Sequence, residues 1–123
     1  MAKILVVDDR KVVRDTLRRV LEKSAHTVRL ASNGQEALDE YAKEACDLVV
    51  LDMFMPVLNG FDALVEFRQR HGDVKVLAMS GGGEFVLEDA LDEAKNLGAQ
   101  RVLAKPFQMS ELLKAVDELL VEP

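Results

Sequence analysis

Five short apolar segments alternate with five segments of helical periodicity, and this alternation constrains the fold more than any other feature of the chain. The apolar segments are Ile4–Val7, Thr27–Ala31, Leu48–Leu51, Val74–Met79 and Arg101–Ala104. The first, third and fourth are almost continuously apolar, as expected of strands that are buried on both faces of a parallel sheet. The segments between them repeat apolar residues three or four positions apart, which is the period of an amphipathic helix.

Strict alternation of strands and helices predicts an α/β fold, with an open, doubly wound, five-stranded parallel sheet and five helices on its two faces. Local signals agree with this prediction. Asn33 and Glu36 are spaced like a helix N-cap and its acidic partner, and Gly98 stands where the fourth helix should end. Asn59-Gly60 marks a loop after the third strand. The order of the strands cannot be read from periodicity.

Length and composition exclude several classes of protein. A chain of 123 residues has the size of one domain, and we interpret residues 1–123 as a single domain. Its apolar runs fall far short of the roughly 20 residues that cross a bilayer, so we expect a cytoplasmic protein without membrane contact. One cysteine, Cys46, excludes an internal disulfide and is expected to be a small buried residue. A net charge of -6 argues against direct nucleic-acid binding.

The charges are unevenly distributed along the chain. A basic cluster lies on the first predicted helix and contains Arg10, Lys11, Arg14, Arg18, Arg19 and Lys23. An acidic cluster lies on the fourth and contains Glu84, Glu88, Asp89, Asp92 and Glu93. Each cluster could be an ordinary solvated face or could steer a protein partner. Arg10, Arg14 and Arg18 recur every four residues and are a candidate docking surface.

Polar residues interrupt the apolar pattern at the carboxyl ends of four predicted strands. Asp8 and Asp9 follow the first strand, Asp52 the third, Ser80 the fourth and Lys105 the fifth. The carboxyl ends of parallel strands share one edge of the sheet, where ligands bind. If the strand order is 2-1-3-4-5, the three aspartates become neighbours at the switch point between strands 1 and 3.

These residue types suit phosphoryl transfer to a carboxylate. Three neighbouring carboxylates repel one another and so predict a bound cation, and their oxygen atoms suit Mg²⁺ or Mn²⁺. Asp52 is the candidate nucleophile, while Lys105 and the Ser80 hydroxyl could contact phosphate oxygens. Taken singly, each residue has an ordinary explanation, such as an Asp-Asp pair that caps a helix. Their joint placement at four strand ends favours a functional site.

The same residues resemble the receiver domains of two-component response regulators, including the single-domain chemotaxis regulator. The resemblance covers essentially the whole chain. It is carried by four motifs, Ile4-Leu-Val-Val-Asp-Asp9, Leu51-Asp-Met-Phe-Met-Pro56 with Gly60, Met79-Ser80-Gly81 and Lys105-Pro106-Phe107. It implies a flavodoxin-like sheet in the order 2-1-3-4-5 and a cis bond between Lys105 and Pro106.

The resemblance also implies a role for each site residue. Asp52 would be the phosphoacceptor, and Ser80 and Lys105 would contact the phosphoryl oxygens. Asp9, the Asp52 carboxylate and the backbone carbonyl of Phe54 would be direct metal ligands. Asp8 would act on the metal largely through water.

The implied function is that of a phosphorelay switch. A sensor histidine kinase or a histidine phosphotransfer protein would donate the phosphoryl group in a Mg²⁺-dependent reaction, and Arg10, Arg14 and Arg18 are the candidate for part of its docking surface. The Gly81–Gly83 loop would then move, and the protein, which is not a classical enzyme, would promote its own dephosphorylation. The fourth helix and the last strand and helix would contact an unknown downstream protein, and the chain would be a monomer or weak homodimer. Alternatively, it is a receiver excised from a larger multidomain regulator or kinase, or a degenerate interaction module.

Two positions depart from the common receiver pattern. Val102 stands three residues before Lys105, at a position where many receivers have a switching aromatic residue. A rotating ring therefore cannot report the state of Ser80. Phe54, two residues after the phosphoacceptor, is bulky and apolar where a polar residue is common. We hypothesise that Phe54 alters the lifetime of the phosphorylated state, although it could also be an ordinary packing residue.

Two other classes of protein are less compatible with the sequence. A haloacid-dehalogenase-type phosphatase also uses a strand-end aspartate, but it needs a second acid two residues later, where Phe54 stands. A flavodoxin-type electron carrier shares the fold, but no Ser/Thr-rich phosphate loop follows the first strand. Aromatic residues, which would pack against a flavin, make up only 5% of the chain.

Overall fold

The computed structural model describes residues 2–81 and 87–122, without the side chains of residues 87 and 88. It confirms one parallel sheet of five strands in the order β2-β1-β3-β4-β5. The strands are β1 Lys3–Val7, β2 Thr27–Ala31, β3 Leu48–Asp52, β4 Lys75–Ser80 and β5 Arg101–Ala104. The helices are α1 Lys11–Lys23, α2 Gly34–Lys43, α3 Gly60–Arg70, α4 Leu87–Asn96 and α5 Met109–Val121.

The observed strands differ from the predicted ones by no more than one residue at either end. The differences matter at β3 and β4, which extend to Asp52 and Ser80. Both polar residues therefore belong to the sheet itself, where ladder pairing fixes their backbone, and do not lie in the loops that follow.

Two hydrophobic clusters cover the two faces of the sheet. Alternate residues of each central strand point to opposite faces, as strand geometry requires. In β1, Ile4 belongs to the cluster under α1 and α5, whereas Leu5 belongs to the cluster under α2, α3 and α4. All five residues of β3 are buried. The central strands are thus fixed from both sides, and their carboxyl ends are rigid supports for side chains.

The predicted helix signals are confirmed, and Asn59, predicted as a loop residue, also caps a helix. The Asn33 side chain accepts a hydrogen bond from the Glu36 N–H at 2.8 Å and starts α2. Asn59 does the same for α3, accepting from the Asp62 N–H at 2.9 Å. The sequence marked Asn59 only as a loop residue, although Asn is among the most favoured N-caps. Gly98 follows α4 with a positive φ of 109°.

Arg68 of α3 forms hydrogen bonds with the backbone of two other segments. Its guanidinium group donates to the carbonyl oxygen of Gly98 at 2.7 Å and to that of Val74 at 2.5 Å. Partial burial lowers the pKa of Arg68, because desolvation disfavours its charged form. The residue therefore ties the end of α3 to the segments that lead into β4 and β5, at the amino edge of the sheet.

Two expectations from composition can be compared with the structure. Cys46 is half-buried, and its Sγ donates a hydrogen bond to the Leu48 carbonyl oxygen at 3.4 Å. Burial raises the pKa of this thiol to about 11. Across residues 2–81 and 87–122, no helix has both the length and the apolar character that a membrane span needs.

The C-terminus of α1 carries local strain that a single substitution can remove. The N–H of Ala25 bonds the Glu22 carbonyl and the N–H of His26 bonds the Leu21 carbonyl, which is the Schellman pattern. Ala25 has a φ of 69°, a left-handed conformation that an alanine adopts at a cost. We predict that Ala25→Gly raises the free energy of unfolding by about 0.5–1 kcal/mol, measured by urea denaturation.

The matched control is Ala42→Gly, which makes the same change at an exposed position within α2. Glycine loses more conformational entropy than alanine in a helix, and the helical φ at position 42 does not favour glycine. This variant is therefore expected to be less stable than wild type. If both variants lose stability, the strain at Ala25 does not exist in solution.

Candidate functional site

All five site residues predicted from the sequence lie at the carboxyl edge of the sheet. Asp8 and Asp9 follow β1, Asp52 ends β3, Ser80 ends β4, and Lys105 follows β5. Strand β1 pairs in parallel with both β2 and β3, so the connections that follow β1 and β3 lead to opposite sides of the sheet beside Asp8. This is the topological switch point at which open parallel sheets bind their ligands.

The three aspartates form a carboxylate cluster. One oxygen atom from each of Asp8, Asp9 and Asp52 lies within 4.8 Å of the others. Asp8 is fully buried and Asp52 has only 4% of its surface exposed, whereas Asp9 is exposed. The cluster therefore has two carboxylates inside the protein and one at its mouth.

Asp8 is held by contacts to both of its carboxylate oxygens. Oδ1 accepts a hydrogen bond from the Arg10 backbone N–H at 2.9 Å, and Oδ2 accepts one from Lys105 Nζ at 2.8 Å. Its carbonyl oxygen accepts a further bond from Arg14 at 2.8 Å. The N-cap of α1 is Arg10, without a side-chain hydrogen bond, so the alternative that the Asp-Asp pair caps this helix is wrong.

Asp9 contrasts with Asp8. Among the residues that the structure describes, its carboxylate has no hydrogen-bond or ion-pair partner. It is exposed at the edge of the cluster and so is available to a ligand from solvent.

Asp52 is fixed through its backbone and through two contacts of its carboxylate. Oδ1 lies 3.4 Å from the backbone nitrogen of Phe54, and Oδ2 lies 3.4 Å from Lys105 Nζ. A side chain on Gly60 would collide with the Asp52 carbonyl oxygen and would lie 2.5 Å from the Met53 Cα. Glycine at position 60 is therefore required for the first turn of α3 to pack behind the candidate nucleophile.

Lys105 connects two strands and two acids. Its backbone N–H donates to the Ser80 carbonyl oxygen at 2.9 Å, and the bond to Pro106 is cis, as the resemblance implied. Its Nζ, on a side chain that is only 15% exposed, lies between the carboxylates of Asp8 and Asp52. Ser80 itself is fully buried at the end of β4.

The pKa of Asp52 is raised from 3.8 to about 6. Desolvation is the main cause, because a buried carboxylate loses the water that stabilises its charge. The nearby Lys105 cation lowers the pKa and the Asp8 carboxylate raises it again. Lys105 thus offsets the burial of the Asp52 charge only in part.

The cluster fits a hard divalent cation. Mg²⁺ prefers oxygen ligands and binds proteins through one or two carboxylates, with water and phosphate oxygens completing its coordination. Asp9 and Asp52 present carboxylate oxygens to the same space, while both oxygens of Asp8 already have partners. The arrangement can hold a metal ion next to a carboxylate nucleophile and a lysine.

Phe54 and Val102 occupy the places that the sequence marked as unusual. The Phe54 ring packs edge-on against the Phe61 ring, with centroids 5.5 Å apart, so it has a packing role. Val102 is partly buried against the cluster under α2, α3 and α4. Of the predicted mobile loop, Gly82 and Gly83 lie outside the described residues, as do Glu84 and the side chain of Glu88.

Arg10 and Arg14, which the sequence predicts only as part of a basic surface, also contact the site. Arg14 bonds the Asp8 carbonyl oxygen, and Arg10 Nε lies 3.7 Å from Asp8 Oδ1. A local signal existed for part of this arrangement, because Asp side chains often accept from the backbone N–H two residues later. Asp8 and Asp52 both do so.

Comparison with protein families gives one match that spans most of the chain. The model of the response regulator receiver domain matches residues 4–117. Sporulation initiation phosphotransferase F of Bacillus subtilis is 38% identical over 118 residues, which cover 96% of this chain and 93% of that protein. Response regulator MprA of Mycolicibacterium vanbaalenii is 38% identical over 121 residues and covers 96% of this chain. The chain spans only 50% of the length of MprA.

Solved structures show the same similarity. The receiver domain of NtrX from Brucella abortus superposes with a TM-score of 0.90 at 30% identity, covering 98% of this chain and 99% of that one. Chemotaxis protein CheY4 of Vibrio cholerae has a TM-score of 0.87 at 32% identity, and the match covers 98% of this chain and 99% of that one.

The raised pKa of Asp52 predicts how stability depends on pH in metal-free solution. Between about pH 4 and pH 6 the folded protein binds the Asp52 proton more tightly than the unfolded chain does, so this residue makes stability fall as pH rises. Asp52→Asn removes that loss. We expect the unfolding free energy of the variant, relative to wild type, to rise by about 1–3 kcal/mol across this range.

The measurement is urea denaturation in EDTA at several pH values, with Asp39→Asn as a control that removes one exposed carboxylate from α2. A difference between Asp52→Asn and wild type that stays constant with pH would contradict the burial of charge at Asp52.

Proposed function

Because this chain belongs to the response regulator receiver domain family, we propose that it is a phosphoacceptor switch in which Asp52 receives a phosphoryl group from a partner's phosphohistidine. Receiver domains are phosphoacceptors and not classical enzymes, and they generally bind Mg²⁺ in an acidic pocket. The observation that carries the proposal is the position of Lys105 Nζ, 2.8 Å from Asp8 and 3.4 Å from Asp52. The ammonium group supplies positive charge beside Asp52, a buried carboxylate at the end of a strand.

In the proposed reaction, a carboxylate oxygen of Asp52 attacks the phosphorus atom in line with the bond to the histidine nitrogen. An oxygen–phosphorus bond forms, the nitrogen–phosphorus bond breaks, and its electron pair remains on the imidazole of the donor. Asp52 must be deprotonated to attack, and a pKa near 6 leaves it mostly ionised at neutral pH. Its fixed backbone, supported by Gly60, provides the orientation that such a transfer needs.

Asp9 and the Asp52 carboxylate would hold the metal directly, together with the backbone carbonyl of Phe54, and Asp8 would act through water. Both carboxylate oxygens of Asp8 already accept hydrogen bonds, which supports an indirect role for Asp8 and direct coordination by Asp9 and Asp52. When bound, Mg²⁺ or Mn²⁺ would offset the repulsion between the anionic phosphoryl group and the acids. Lys105 would move from Asp8 to a phosphoryl oxygen, and the hydroxyl of Ser80 would donate to another.

We assign the phosphoryl donor to a cytoplasmic histidine kinase or phosphotransfer protein. Arg10, Arg14 and Arg18 follow one another along α1, beside the site. A groove of about 450 Å³ lies along the same helix and is lined by Val12, Val13 and Phe107 among other residues. Val12 is 78% exposed. A partner that docked here would contact Arg10 and Arg14, which also contact Asp8.

The proposal concerns a receiver module over residues 1–123, acting as a monomer or weak homodimer. MprA is about twice as long as this chain, whereas the Bacillus subtilis phosphotransferase has nearly the same length. Both arrangements, a receiver alone and a receiver joined to an output domain, are compatible with the same phosphorylation chemistry. The downstream protein would bind α4, β5 and α5.

The central prediction is that acetyl phosphate and Mg²⁺ phosphorylate the wild-type chain once and that Asp52→Asn is not phosphorylated, as measured by intact-protein mass spectrometry. Chelation of the metal by EDTA should prevent the reaction, because the repulsion between anions is then uncompensated. Lys105→Met should slow phosphorylation by about tenfold or more, since it removes a charge-assisted contact to the phosphoryl group.

Asp47→Asn is the matched control, because it removes an aspartate at the opposite end of β3. Its phosphorylation rate should equal that of wild type. Phosphorylation of Asp52→Asn at the wild-type rate would mean that another residue is the acceptor.

A second prediction concerns the lifetime of the phosphorylated state. The Phe54 backbone nitrogen lies 3.4 Å from Asp52 Oδ1 and the Phe54 ring packs on Phe61, so we propose that this apolar ring beside the acceptor hinders an attacking water molecule. We expect Phe54→Asn to hydrolyse its phosphoryl group several-fold faster than wild type, followed by loss of the mass increase after acetyl phosphate is removed.

Phe61→Leu is the control for this experiment, because it disturbs the same ring pair without placing a polar group beside Asp52. Equal hydrolysis rates for wild type and Phe54→Asn would show that Phe54 is a packing residue only.

A further inference from the structure

A groove of about 630 Å³ lies between α3 and α4, outside the phosphorylation site. Its lining residues are Asn59, Phe61, Asp62, Val65, Asp89, Glu93 and Leu97. Phe61, Val65 and Leu97 are partly buried and form an apolar floor. Asp62, Asp89 and Glu93 are exposed and form an acidic rim. No lysine or arginine is among these lining residues.

The acids of this rim contrast with the ion-paired acids of α1 and α3. Asp15 pairs with Lys11 at 2.8 Å and Glu66 with Arg70 at 3.0 Å, each within its own helix. In the part of the chain that the structure describes, Asp62, Asp89 and Glu93 form no ion pair. Three uncompensated carboxylates around an apolar floor attract positive charge to that place.

The dimensions of the groove match two turns of a helix. Asp89 and Glu93 of α4 and Leu97, which directly follows the helix, are spaced at intervals of four residues over about 12 Å, and the Leu97 N–H bonds the Glu93 carbonyl oxygen. Phe61 and Val65 have the same spacing on α3. A helix that places apolar residues three or four positions apart into a groove, with charged residues at its flanks, is a common form of protein recognition.

We propose that the α3–α4 groove binds a basic amphipathic helix of a partner protein. Apolar side chains of that helix would contact Phe61, Val65 and Leu97, and its lysines or arginines would pair with Asp62, Asp89 and Glu93. Since the Phe61 ring contacts the Phe54 ring at 5.5 Å, the bound helix would lie directly behind the segment that follows Asp52. The proposal concerns binding alone and does not depend on phosphorylation.

A designed peptide of about 14 residues serves as the probe, long enough for partial helix formation. It contains alanine, leucines three and four positions apart, and lysines beside them, and it carries a fluorophore for anisotropy titration. We expect saturable binding with a Kd below about 1 mM. The double variant Asp89→Asn, Glu93→Gln should bind it about five- to tenfold more weakly, and salt should reduce binding to wild type.

The matched control is Asp117→Asn, Glu118→Gln, which removes the same charge from exposed positions of α5 on the opposite face of the sheet. Its affinity should stay within about twofold of wild type, because these residues are distant from the groove. A peptide with alanine in place of leucine should bind more weakly than the leucine peptide, since it cannot fill the apolar floor.

Four results would overturn the proposal. The first is no saturable binding, and the second is equal weakening by both double variants, which would indicate attraction to the net charge alone. The third is self-association of the unlabelled chain in sedimentation velocity that Asp89→Asn, Glu93→Gln abolishes, because the groove would then bind a second copy. The fourth is equal affinity for the leucine and alanine peptides, because the apolar floor would then contribute nothing to binding. Thermal melting by circular dichroism verifies that each variant is folded.

Discussion

The buried carboxylates of Asp8 and Asp52, facing a single lysine, set the main physical constraint on this protein. Burial of an ionised carboxylate costs free energy unless hydrogen bonds and an opposite charge compensate it. Lys105 supplies that charge to both acids, and a backbone N–H two residues later supplies a donor to each. The pKa of Asp52 still rises to about 6. Compensation is therefore incomplete, and a site of this kind attracts a further cation.

The sheet makes this costly arrangement possible. Strands β1 and β3 are held by hydrophobic clusters on both faces, so their carboxyl ends cannot move apart to relieve the repulsion between the acids. Lys105 is tied to the same edge by its hydrogen bond to the Ser80 carbonyl oxygen. Gly60 allows α3 to begin directly behind Asp52, where any side chain would collide with the backbone. Packing of the hydrophobic core thus holds the mutually repelling carboxylates of Asp8 and Asp52 together at the edge of the sheet.

The sequence predicted the sheet well because periodicity and strand-end polarity are local signals. Five strands, five helices and the edge position of Asp8, Asp52 and Lys105 all follow from residues read in order. The strand order came from the resemblance to a family, since pairing between distant strands leaves no periodic signal. The ion pair between Lys105 and Asp8 joins positions 97 residues apart, and the bonds of Arg68 depend on where two loops meet. Such contacts depend on tertiary placement, which propensity and spacing do not encode.

The position of Lys105 also indicates how a receiver without a switching aromatic could transmit its state. In the proposed switch, a phosphoryl group on Asp52 competes with Asp8 for the same ammonium group. Movement of Lys105 toward the phosphoryl oxygens would pull on the Ser80 carbonyl oxygen, because its backbone N–H is bonded there at 2.9 Å. The ends of β4 and β5 would then shift together, whereas Val102 stays packed against the core. The signal would reach Ser80 and Gly81 through backbone hydrogen bonds, without any rotation of a ring.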